Sequence, residues 1–180
     1  TDDGRVFQDK KGNDSAEALF AETFANPENG PEAEGPTAPT YDENVYYFDW
    51  GSTRLFMLNN NYWWSSNPHE YGGNLEGYIL PNQVEWLREQ VAIAYADEEI
   101  DQIFFAAQEP PFPNGGHTDD AMWWDGGDTN RDGEVDEEDI DIVENRNAVW
   151  EIASSSPKSV AFIAGDEHAY SRLIINDETD

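Results

Sequence analysis

The chain has 180 residues, of which 39 are Asp or Glu and 9 are Lys or Arg, giving a formal net charge of −30. Phosphate backbones and anionic lipid surfaces both need cations to neutralise them, so this balance speaks against nucleic acid and against membrane docking. The sequence has no apolar run of about 18 residues to span a bilayer, and Thr1-Asp2-Asp3-Gly4 lacks the basic start and apolar stretch of a signal peptide. So much charge leans towards disorder. The 7 Trp, 8 Tyr and 9 Phe residues oppose that reading, because a solvated coil does not carry so many rings. Bound cations are the expected reason why the acidic segments stay in place, with high ionic strength as the alternative. The lack of Cys excludes disulfides and thiolate metal sites and leaves the compartment open.

In chain order, residues 15–25 predict a short helix, with Ser15 as N-cap and Leu19, Phe20 and Phe24 on one face. Asn26 to Thr40, with four prolines and two glycines, reads as a surface loop. Val45–Trp50 and Thr53–Asn60 are strand-like runs joined by Gly51-Ser52, a hairpin signal. Asn82 and Glu85 have the form of a capping box, and Val84, Leu87, Val91 and Ala94 follow at helical spacing, which predicts a helix over 83–96. Ile103–Ala107 reads as a strand buried on both faces. A long loop from Gln108 to Gly127 precedes a helix over 137–153 with Ile140, Val143, Trp150 and Ala153 inward. Ser159–Ala164 is expected as a second buried strand and Tyr170–Ile175 as a last one. Helices alternating with buried strands imply a layered α/β fold, a single domain over residues 1–180.

The clearest constellation is Asp128-Thr-Asn130-Arg-Asp132-Gly133-Glu134-Val135-Asp136-Glu-Glu-Asp139. It sets oxygen donors Asp128, Asn130, Asp132, Asp136 and Asp139 at loop positions 1, 3, 5, 9 and 12. Gly133 stands at the sharp turn, and Glu134 offers its carbonyl at position 7. Hard oxygens at this spacing wrap Ca2+. Asp in place of Glu at position 12 shortens the reach, and the loop resembles that of dockerin modules more than that of regulatory EF-hands. A single loop followed by a helix points to a structural staple; a sensor would need a paired hand.

Four further stretches carry a resemblance. Gly165-Asp166-Glu167-His168-Ala169-Tyr170-Ser171-Arg172 is similar to the Gly-His-x-His-x-Tyr-x-Arg signature of calcineurin-like metallophosphoesterases, purple acid phosphatases included. Gln108-Glu109-Pro110-Pro111 resembles that family's His-x-Pro-Pro stretch, Tyr46–Asn60 its central hairpin, and Gly12-Asn13-Asp14 its Gly-Asn-His motif. The resemblance implies the C-terminal part of a β-sandwich flanked by helices, with residues 128–139 as an inserted calcium loop. It further implies a dinuclear site for divalent metals such as Mn, Fe, Zn or Mg, acting on a phosphate ester. On that mapping Asn13, Gln108, Asp166 and His168 are metal positions, Asp14 assists the leaving group, and His117 contacts phosphate.

The departures from the family pattern are chemical. Asp14, Gln108 and Asp166 stand where the family has His. Asp166 can still hold a hard cation, whereas Gln108 is a neutral and poor ligand. Asp14 is a poor proton donor near neutral pH. The family's Asp-x-His and Gly-Asp motifs, which supply the bridging carboxylate, have no counterpart in the sequence. Two readings follow. One is a calcium-binding, catalytically degenerate domain serving as a structural or assembly unit outside the cell or at its surface, with self-association as a possible mode. The other is the C-terminal part of an active secreted phosphomonoesterase or phosphodiesterase, completed by an N-terminal segment.

Overall fold

A computed structural model describes residues 15–64, 73–112, 122 and 142–174. The order is α1 (Ala16–Thr23), β1 (Tyr46–Trp50), β2 (Thr53–Met57), α2 (Pro81–Ala96), β3 (Gln102–Ala107), α3 (Ile142–Ser155) and β4 (Ser159–Ala164). The strands form one mixed sheet, β1-β2-β3-β4, in which β1 and β2 are antiparallel while β2–β3 and β3–β4 are parallel. The fold is thus α/β, a four-stranded mixed sheet flanked by helices. Gly51, at φ 61, supplies the left-handed backbone that the tight β1–β2 turn requires.

Helices α2 and α3 touch one another and cover one face of the sheet. Phe56, Phe105 and Phe162 stack in series across that face, with ring centroids 5.6 and 6.2 Å apart. Trp86 of α2 meets Phe56 edge-on. Leu87, Val91, Ile103, Val149 and Ile152 close the cluster around them. Strand side chains alternate between faces, so the intervening residues point the other way. Phe48, Leu55, Phe104 and Ala161 form one row across the sheet, and Tyr46, Met57, Ala106 and Ile163 the next. None of these eight belongs to or packs against the buried cluster, and none is charged.

The loop before β1 packs closely. The Asn29 side chain donates to Tyr47 O and accepts from Tyr47 N, both at 3.0 Å, as a neighbouring strand would. A Cβ at Gly30 would sit 2.1 Å from Val45 O, so only glycine fits there.

Several sequence expectations change. The Asn82–Glu85 capping box does not form: Pro81 begins the helix, which moves Asn82 into the first turn. The remote Glu34 carboxylate caps it instead, accepting from Asn82 N at 2.9 Å and Gln83 N at 3.3 Å. In α1 the Ser15 cap holds, accepting from Ala18 N, but Leu19 and Phe24 are exposed and Glu17 is the buried residue. In α3 the inward side chains are Arg146, Val149, Ile152 and Ala153, while Val143 and Trp150 are half-buried; the packed face is rotated from the expected one. Ile140 lies outside the described residues.

Strand β4 is an edge, with Val160 54% and Ile163 52% exposed, because only β3 pairs with it. Residues 170–174 form no strand, and Tyr170 is 93% exposed. A strand needs a ladder partner, and none reaches this run among the described residues. The same residues hold one sheet, so the paired sheet of a sandwich is not among them. No described helix is long and apolar enough to cross a membrane.

Candidate functional site

The three parallel strands end on one edge of the sheet, where open α/β folds place their chemistry. Asn59-Asn60-Asn61 follows β2, Gln108-Glu109 follows β3, and Gly165-Asp166-Glu167-His168 follows β4. Hydrogen bonds fasten the three exits together. Asn60 Nδ2 donates to Glu109 O at 2.9 Å, and Asn60 Oδ1 accepts from Glu109 N at 3.1 Å. Asn61 Nδ2 donates to Glu109 Oε1 at 2.8 Å, while Asn61 Oδ1 accepts from Gly77 N. Gly165 N donates to Gln108 O at 2.9 Å, and a Cβ on Gly165 would lie 3.4 Å from Gln108 Oε1. The Gln108 amide therefore leans on the start of the Gly165–His168 turn.

That turn is strained. Asp166 and His168 have φ of 58 and 48, left-handed values that cost a non-glycine residue about 1–2 kcal/mol each. Strain of this kind collects at binding and catalytic loops. Asp166 and Glu167 are half-buried and His168 is exposed.

From the other side, α1 contributes Glu17. Its Oε1 accepts from Trp63 N at 2.6 Å, and Trp63 itself sits at φ 53. Burial pushes the Glu17 carboxyl above its ordinary range, and hydrogen bonds from Trp63 N–H and from the Ser15 and Asn59 side chains offset part of that rise. Glu17 thus ties the first turn of α1 to the chain leaving β2.

Of the residues singled out from sequence, the fold brings Gln108, Asp166 and His168 to this common edge. Asn13, Asp14, His117 and the calcium-loop residues Asp128, Asn130, Asp132, Glu134, Asp136 and Asp139 lie outside the described residues. The described residues contain no group of three His, Cys, Asp or Glu side chains placed to hold a metal. The donor set of a two-metal phosphoesterase centre does not fit what is described: Gln108 presents a neutral amide beside Gly165, and Asp166 supplies one carboxylate. Glu17, Glu109 and the Asn59–Asn61 triplet went unnoticed in the sequence. The available signal was three consecutive amides directly after an apolar strand, with an acid directly after the next.

No protein-family model, no curated protein and no solved structure matches the chain.

Proposed function

We propose that the chain is a calcium-binding, metallophosphoesterase-like domain whose catalytic centre has degenerated, and that it serves as a structural or assembly unit outside the cell or at its surface. The observation that carries this reading is the edge at which β2, β3 and β4 end. The strand exits and the strained Asp166–His168 turn occupy the place expected of a reaction centre, yet an amide and a carboxylate stand where imidazoles are required. The resemblance adds a β-sandwich architecture and the calcium loop over residues 128–139. A fold can persist after its chemistry has gone.

Metal analysis of the purified chain by mass spectrometry, together with hydrolysis assays, tests the reading. The expected result is bound calcium and no turnover of p-nitrophenyl phosphate or its bis ester with Mn, Fe or Zn added. Asp128→Ala with Asp132→Ala should abolish calcium binding and lower the melting temperature. Phosphatase activity that tracks a bound transition-metal pair would overturn the degenerate reading and favour the active secreted enzyme.

A further inference from the structure

The outer face of the sheet, opposite α2 and α3, is apolar and uncharged in a chain of net charge −30. We propose that this face is a self-association surface, and that a second copy of the chain lays its own sheet upon it. The proposal goes beyond the functional reading above and does not depend on any metal.

The pattern of side-chain sizes is self-complementary. Bulky side chains stand on β1 (Tyr46 and Phe48) and small or half-exposed ones on β4 (Ala161 and Ile163), and both pairs lie in the same rows. Two sheets related by a two-fold axis along the strands face one another in reversed strand order, so β1 lies over the partner's β4 and β2 over its β3. Phe48 then meets a second copy's Ala161, and Leu55 meets its Phe104. In the next row Met57 meets Ala106. Large side chains fall on small ones in each row, the condition for interdigitating layers about 10 Å apart. Trp50, 80% exposed at the end of β1, overhangs towards the same partner strand.

Size and charge set the strength. Four strands about 4.8 Å apart and five residues at about 3.3 Å each give a face of roughly 300 Å² per copy. That falls short of the roughly 800 Å² per partner of a stable complex, so the dimer is weak. The −30 charge on each copy opposes it further. Salt should therefore promote association, since the screening length drops from about 10 Å at 0.1 M to about 3 Å at 1 M.

Sedimentation equilibrium of the 180-residue chain in chelator-treated buffer, at low and high NaCl, is the test. The expected result is a monomer–dimer equilibrium that shifts towards dimer as salt rises. Leu55→Lys, which puts a charge at the centre of the face, should weaken it about tenfold or more. Ala161→Leu fills the recess opposite Phe48 and should weaken it also, which keeps the test alive if the lysine variant fails to fold. Ile93→Lys, on an exposed position of α2, should leave it unchanged. Three outcomes would overturn the proposal: a monomer at every salt up to about millimolar chain, a dimer that needs calcium, or a dimer indifferent to both face variants.

Discussion

Phe104 and Phe105 are neighbours in one strand with the same side chain, and they live in different surroundings. Phe105 is 1% exposed, stacked between Phe56 and Phe162 under α2. Phe104 faces away, half-buried among Leu55 and Ala161. The covered face accounts for the cohesion of the described fold, and the open face adds little to it. Hydrophobic residues on the two faces thus have different tasks, one packing the chain and the other meeting a partner.

The first way to break this contrast is the pair itself. Phe105→Ala should destabilise by about 3–5 kcal/mol through loss of buried surface and the cavity left behind, and Phe104→Ala by less than about 1 kcal/mol. Urea unfolding followed by circular dichroism measures both, and equal losses would show that the outer face is packed after all.

Tryptophan gives a second matched pair with a smaller expected effect. Trp86 is buried on α2 and donates from Nε1 to Asn29 O at 2.8 Å, tying the helix to the proline-rich loop. Trp86→Phe should cost about 1–2 kcal/mol by stranding that carbonyl. Trp50→Phe should stay within about 0.5 kcal/mol in the same unfolding experiment.

Two carboxylates sharpen the comparison by sign. Asp49 accepts two hydrogen bonds from Arg54, which hold its carboxyl below the usual value of 3.8. Its contribution is present above that value and lost as pH falls. Glu17 is the opposite case: burial raises it above 4.5, so its contribution is present in acid and lost as pH rises through the folded-state value. Glu17→Gln should therefore gain on the wild type as pH climbs from about 4.5 towards neutrality, read as a rising difference in melting temperature. A constant difference across that range would show that Glu17 is not desolvated.

Much of the framework was legible in the sequence. Gly51-Ser52 between two β-rich runs, Ser15 before Ala16, and the 3–4 spacing of Val84, Leu87, Val91 and Ala94 are local signals, and local physics decided them. What misled was long-range. Asn82 looked like a cap because its chain neighbours have the right types, yet a carboxylate 48 positions away caps that helix. Val160 and Ile163 read as core because an apolar run does not say which strand will be last in the sheet. The candidate site was legible as a location, at the ends of β3 and β4. Its Asn60–Glu109 clasp, between residues 49 apart, needed the folded chain.

Asn29 has a consequence for how the molecule can misassemble. By giving Tyr47 both a donor and an acceptor, one amide side chain plugs an outward slot of the β1 border that an invading backbone would use. The β4 border, uncharged from Ser159 to Ala164, has no such plug among the described residues. Stacking by strand addition is thereby directional. A chain that recruits on one flank only exhausts itself at a pair, whereas two free flanks would let it propagate as a fibre.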